Sequence, residues 1–365
     1  MPEKLIPKDS IHRIMILGSI GIGNLLLFSP CLRVLRESFP QAHITMIVLK
    51  KGFVELYADD PNVNEVLISD YAVQNTWWKR FRLICDLRKR KFDLSITTFP
   101  ANRIEYNLLS FLAGVKYRIA HRYHTKFWRT FSFLQNNKIP VDLTLHDLEQ
   151  NIALLRPLGL EGKAEKRLFI TLSDKHHTEA AQFLEQSALN KSSIFIGIHA
   201  GSSSDRNMDL KRWETEKFIA LCKRIMEEYP VSFILFGGSE EKPIKDEITR
   251  ELGDVCVPVV GVSLKTTAAL IGECRIIITN DSGLMHVAVA MGIPCVAIFG
   301  PTDPGRTAPY GLRHRVVQLG LHCSPCWSIR NVGVGQIKCI YPTNRCLKEL
   351  SVERVYKVVE EMMQL

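Results

Sequence analysis

The sequence predicts an α/β chain built as two doubly wound domains, each a parallel sheet with helices on both faces. Three observations predict it. Short apolar runs alternate with amphipathic stretches of helical length through both halves. A polar segment around 161–192 breaks that alternation near the middle of the 365 residues. Several apolar runs end in glycine and small polar residues, the chemistry of a strand turning into a helix.

In order, the first half carries strand patterns at 13–17, 44–49, 64–68, 93–97 and 116–120. Helical patterns lie between and after them at 24–38, 52–58, 79–91 and 103–113. The second half repeats the scheme with strands at 194–199, 231–236, 256–260, 275–279, 295–299 and 315–319. Its helices fall at 214–229, 243–251, 264–272 and 283–291, the last stopped by Gly292-Ile293-Pro294, since proline cannot continue a helix. The N-terminal domain is read as 1–175 and the C-terminal one as 176–350. The closing segment, 351–365, holds an amphipathic helix from Val352 to Met363 that is expected to pack back across the joint.

Composition narrows the class. A hydrophobic share of 46% with 23% charged residues is that of a globular chain with sizeable cores. No apolar stretch approaches the ~20 residues of a membrane span. The first residues lack the apolar centre of a signal peptide, so a cytoplasmic location is expected. There the ten cysteines are thiols or metal ligands rather than disulfides. The net charge of +9 favours an acidic partner, and no nucleic-acid-binding motif accompanies it.

The most informative run is 279–305, TNDSGLMHVAVAMGIPCVAIFGPTDPG. It reads as a strand end, a turn through Asp281-Ser282-Gly283, a helix, a second strand and a second turn. Helix N-termini favour anions, most often phosphate. Asp281 stands at the mouth of such a site, where a carboxylate suits sugar hydroxyls. On those residues alone, plain helix caps are the commoner role for Asp281 and Ser282. His286 lies one turn further on, as a ligand or a buried structural histidine.

The whole run resembles the signature of glycosyltransferase family 9, the ADP-heptose:lipopolysaccharide heptosyltransferases. The resemblance implies a GT-B fold, in which two Rossmann-like domains face a central cleft. It also implies an inverting transfer of heptose or a related sugar from an ADP-sugar to a phosphorylated glycolipid. Fixed cations and the helix dipole would then stabilise the departing ADP, with no cofactor required for catalysis.

After the first strand, Gly18, Gly21 and Gly23 form a loop that opens a helix. Alone it is a weak dinucleotide fingerprint, and the second strand ends Val48-Leu49-Lys50-Lys51 without the ribose-binding acid. By resemblance this loop carries an aspartate that deprotonates the acceptor. Asn24 stands there instead, and an amide cannot take the proton. Glu105 and His121 are the alternative bases, each with a bland reading as a solvated acid or a structural imidazole. A general base is worth about 10²–10⁴ in rate, so the departure matters. The other open accounts are an acceptor that needs less activation and a chain that binds without turnover.

On the nucleotide side, the strand at 194–199 runs into Gly201-Ser202-Ser203 and then Lys211-Arg212-Trp213. Hydroxyls, amides and a mobile cation suit a diphosphate. The resemblance assigns that role to Ser202, Ser203 and Lys211, with Arg212 as the fallback. It also places a ribose-binding acid after the next strand, at Glu240 by position or Glu241 beside it. Cys323, Cys326, Cys339 and Cys346 follow the spacing C-x₂-C-x₁₂-C-x₆-C, which suits a closed tetrahedral thiolate site for zinc or iron. Four ordinary thiols are the competing reading. Finally, Trp77–Arg82, Arg88–Lys91 and His121–Arg129 set aromatic rings among cations, a pattern suited to an anionic inner-membrane surface or to a solvated face.

Overall fold

In the computed structural model the described residues are all except 1–4, 19–20, 50, 70–76, 124–127, 129, 188, 190–192, 204, 328–338, 342 and 365; the side chains of 77, 205 and 206 are likewise not described. The chain divides into two compact units, Met1–Thr171 and Leu172–Leu365. Each is built on one six-stranded sheet.

The first sheet comprises β1 (Arg13–Leu17), β2 (His43–Val48), β3 (Glu65–Ile68), β4 (Leu94–Thr97), β5 (Tyr117–Arg122) and β6 (Asn137–Pro140), in the order β3-β2-β1-β4-β5-β6. The second comprises β7 (Ile194–His199), β8 (Val231–Leu235), β9 (Cys256–Pro258), β10 (Ile276–Asn280), β11 (Cys295–Ile298) and β12 (Arg315–Val317), in the order β12-β11-β10-β7-β8-β9. All neighbouring strands pair in parallel. Counted within each unit, both orders are 3-2-1-4-5-6, the dinucleotide-fold topology. The strand direction of travel therefore reverses between β1 and β4, and again between β7 and β10.

Local chemistry accounts for most elements. β4 and β10 are buried along their whole length, because helices cover both faces of a parallel sheet. The helix expected over 24–38 is instead two, Ile22–Leu26 and Ser29–Ser38, divided ahead of Pro30. A proline has no amide hydrogen to continue the ladder but is well placed in a first turn. Short or weakly apolar elements escaped the reading, helices Pro304–Thr307 and Arg345–Lys348 among them. β6 is a short edge strand of mixed polarity, and helix Asp147–Ala153 is short. Helix Asp174–Gln186 buries only Ala180 outright, so it has almost no apolar stripe and looked like linker. It packs on helix Leu264–Gly272.

The core of the second unit gathers Phe218 and Ile225 of helix Thr215–Met226, Phe233 of β8, Ile276 and Ile278 of β10, and Val355, Val359 and Met362 of helix Val352–Met363. That last helix packs on Thr215–Met226 and on β11 and β12. Trp213, 1% exposed, donates its Nε1 hydrogen to Leu350 O at 3.1 Å, tying the segment before the helix to the sheet. The ammonium of Lys217 sits against the carbonyls of Leu347, Lys348 and Leu350, which complements the negative end of helix Arg345–Lys348.

Candidate functional site

Open α/β sheets bind ligands beyond the carboxyl ends of their strands, where the topology switches. In the second unit that place lies past β7 and β10, at His199-Ala200-Gly201 and at Asn280-Asp281-Ser282. Asn280 joins the segments. Its Nδ2 donates to Ala200 O at 2.8 Å, and its Oδ1 accepts from the Trp213 amide at 3.0 Å.

Asp281 and Lys211 meet at 2.8 Å (Oδ2 to Nζ), their side chains only 8% and 11% exposed. Lys211 Nζ also lies 5.3 Å from the centre of the Trp327 ring, a cation–π distance. Ser282 precedes helix Gly283–Ala290 without a side-chain cap on it. Its Oγ is instead 2.9 Å from Nδ1 of His199. His199 Nε2 lies 3.2 Å from Glu241 Oε1, and Glu241 Oε2 accepts from the Gly238 amide at 2.7 Å. Burial pushes the Glu241 carboxyl up, but the His199 contact and the Gly238 amide outweigh it and hold it below the usual range. Gly201 makes room for this carboxylate: a Cβ there would stand 1.8 Å from Oε1.

Several expected residues therefore gather here, with altered roles. Ser282 and Asp281 are not simple caps, since one meets His199 and the other Lys211. Of the two acids after β8, Glu241 turns inward while Glu240, the better match by position, is exposed. Ser202 is buried and donates its hydroxyl hydrogen to Met208 O at 2.9 Å, while accepting from Arg212 Nε at 3.3 Å. Its proton is thus committed to shaping the loop, and Ser203 beside it is exposed. Gly283 opens the helix, and His286, 5% exposed, sits within its first turn. His199 and Asn280 carried no role in the sequence reading, and Glu241 stood second to Glu240. What brings His199 to the site is the pairing of β7 with β10, which sets it opposite Thr279 and requires the sheet order.

In the first unit, Gly18 lies under Leu25 and Ile47 so closely that a Cβ would meet Leu25 Cδ2 at 2.7 Å. Gly21 caps helix Ile22–Leu26 at φ 107°, a conformation that favours glycine. Gly23 is buried in that helix and Asn24 half-buried beside it. The alternative bases separate. Glu105 is partly exposed and pairs with Arg103 at 3.3 Å. His121 is 4% exposed, with Nδ1 and Nε2 at 3.2 and 2.9 Å from the carbonyls of Ile139 and Gln150. Burial pushes its pKa down to about 4. A weakly basic imidazole whose nitrogens both face backbone carbonyls is a structural group, so His121 falls from the candidates.

Cys323, Cys326, Cys339 and Cys346 line one cavity of about 10 Å³, together with Leu210 and Pro301. Burial and the neighbouring thiols push Cys346 up to about 11. The softness and number of donors suit one thiophilic ion. Among the described residues no three ligating side chains are close enough to form a metal-binding group. Cys326, Cys339 and Cys346 direct Sγ at Pro301 O, Thr343 O and Asn344 Oδ1.

Helix Trp77–Lys89 leaves Trp78 and Phe81 63% and 56% exposed, and Trp128 is 73% exposed. His124, Thr125, Lys126, Phe127 and Arg129 of the second basic aromatic stretch lie outside the described residues, as does Ser204. Among the described residues no helix is long and apolar enough to cross a membrane.

Comparison with known proteins bears on this geometry. The model of glycosyltransferase family 9 (heptosyltransferase) matches residues 80–333. Lipopolysaccharide heptosyltransferase 2 of Escherichia coli K12 is 27% identical over 326 residues, covering 84% of this chain and 88% of its own. A family 9 glycosyl transferase from Veillonella parvula superposes with a TM-score of 0.75 at 23% identity, covering 97% of each chain. The ADP-heptose lps heptosyltransferase II of E. coli superposes at 0.73 with 22% identity, covering 96% of this chain and 98% of that one.

Proposed function

The chain belongs to glycosyltransferase family 9 and is a glycosyltransferase; from that premise we propose that it moves heptose from ADP-heptose to the inner core of a lipopolysaccharide. The observation that carries the donor assignment is the paired, buried Lys211 and Asp281 beside the Ser282-Gly283 helix end at the switch point of the second sheet. An ammonium and the first amides of a helix suit the diphosphate. A carboxylate beside them suits the hydroxyls of the sugar. Glu241, held in place by His199 and Gly238, is the acid best set for the ribose hydroxyls.

In transfer, Lys211 and the amide end of helix Gly283–Ala290 stabilise the charge that develops on the leaving ADP, a fixed-dipole contribution that needs no reorganisation. The proton of the attacking hydroxyl needs an acceptor. Asn24 cannot serve, and with His121 neutral and enclosed, Glu105 of the first unit is the remaining candidate. The lipid nature of the acceptor gives the exposed Trp78 and Phe81, set among Lys79, Arg80 and Arg82, a role at an anionic membrane surface.

The test is a thermal-shift panel of ADP-heptose, ADP, UDP- and GDP-sugars on the wild type and on Asp281→Ala. A ligand at 100 times its Kd adds about 2.7 kcal/mol, a rise of a few degrees. ADP-heptose is expected to stabilise most, and Asp281→Ala to lose more for ADP-heptose than for ADP. A larger shift from a UDP- or GDP-sugar would overturn the donor assignment.

A further inference from the structure

His199 is 3% exposed and bridges two groups that the donor reading uses, Glu241 and Ser282. The tautomer of its neutral ring follows from its partners. A carboxylate only accepts, so the Nε2 that lies 3.2 Å from Glu241 Oε1 carries a hydrogen. In the neutral ring Nδ1 is then an acceptor. Two hydroxyls lie near it, Ser282 at 2.9 Å and Thr279 at 3.3 Å. Thr279 already donates to Asn280 O at 2.8 Å. The hydrogen on Nδ1's lone pair is therefore that of Ser282, and Ser282 has only one. In this state its hydroxyl has no proton for an anion at the helix end.

A diphosphate accepts hydrogen bonds and needs donors. A proton on Nδ1 reverses the contact: the ring N–H donates to Ser282 Oγ, and the Ser282 O–H is released toward the anion. We propose that binding of the donor diphosphate is coupled to uptake of one proton from solvent at Nδ1 of His199, which makes His199 a positioning residue for Ser282. The imidazolium so formed is held by the Glu241 carboxylate. The charged groups around it are Glu241 at contact, Arg212 and Lys245 acting on Glu241, and the Lys211–Asp281 pair on the two adjoining loops. The inference rests on the donor reading above and goes beyond it by giving the site a proton linkage.

Calorimetric titration of the whole chain with ADP-heptose, in buffers of different ionisation enthalpy from about pH 6 to about pH 9, reads the coupling directly, because a proton taken up on binding is drawn from the buffer and adds its ionisation heat. The ligand is a diphosphate diester with no group of its own titrating there. The expected result is net uptake of up to one proton per site, with affinity falling by up to about tenfold per pH unit at the alkaline end. His199→Gln should bind with little proton exchange and a flat pH profile. Should that variant not fold, the carbon-13 shifts of labelled histidine in the wild type report the same event, as a change from the Nε2–H tautomer to imidazolium on adding ligand. Binding without proton exchange across the range, or a His199 signal unchanged by ligand, overturns the coupling and leaves the donor reading standing. No binding at any pH overturns both.

Discussion

At the scale of single residues, burial decides which polar groups act and which only hold structure. His121 shows this with a sign that can be checked. Its folded pKa of about 4 lies below the 6.5 of an ordinary histidine, so below pH 6.5 the unfolded chain takes up a proton that the folded one refuses. The stabilisation is therefore complete above that pH, is lost as pH falls from 6.5 to 4, and amounts to about 3 kcal/mol. Denaturant unfolding at both ends of the window, on the wild type and His121→Gln, should show the wild type losing about that much more. His314, also lowered to about 4 by burial and by Arg313, is present in both proteins and cancels. Parallel pH profiles would show that His121 contributes nothing. Gly201 makes the complementary point: the residue without a side chain is what admits the Glu241 carboxylate to its place beside His199.

At the scale of elements, the 3-10 turn Asp205–Lys211 and the residues after it show how a short segment is held in place. Trp213 is anchored at its amide by Asn280 and at its indole by Leu350 O, which ties the loop that carries Lys211 to β10 and to the entry of the C-terminal helix. Leu350 is fully buried in the same cluster as Val355 and Val359. Leu350→Ala is expected to cost 2–5 kcal/mol, the usual range for deleting a buried leucine side chain. Because Leu350 shares its apolar cluster with Trp213, two residues after Lys211, ADP-heptose should restore less stability to this variant than to the wild type. Melting curves with and without ligand measure both effects, and an equal ligand increment would mean that the loop is held independently.

At the scale of the whole molecule, charge and exposed aromatic surface belong together. Helix Trp77–Lys89 turns Leu83, Ile84 and Leu87 to the core of the first unit and presents Trp78 and Phe81 outward. Lys79, Arg80, Arg82, Arg88 and Lys89 lie on the same helix, in a chain of net charge +9. Each cation near an anionic bilayer is worth about 1 kcal/mol, an attraction screened within a Debye length. Co-sedimentation with phosphatidylglycerol vesicles should therefore exceed that with phosphatidylcholine, fall steeply with salt, and drop about tenfold or more in the Trp78→Ala, Phe81→Ala double variant. Equal binding to both lipids would remove the membrane role.

Much of this was legible before any coordinates, and the reason is range. Strand and helix alternation, the proline and glycine stops, and the Asp281-Ser282-Gly283 turn depend on neighbours a few residues away, so the sequence by itself determined two parallel-sheet units and the strand-turn-helix unit on which the donor proposal rests. Elements without a strong apolar pattern, such as β6 and helix Asp174–Gln186, escaped for the same reason: their stability comes from the sheet edge and from helix Leu264–Gly272. Only the tertiary structure decided which side chains meet. Strand order and register bring His199 opposite Thr279, 80 residues away in the chain. His199 in turn meets Glu241 rather than Glu240 and takes Ser282 from helix cap to histidine partner. In the first unit the pairing of β5 with β6 encloses His121, and in the second an ion pair joins Lys211 to Asp281. Hydrogen bonds and ion pairs of this kind act over about 3 Å, and no local pattern in a sequence encodes a distance across a sheet.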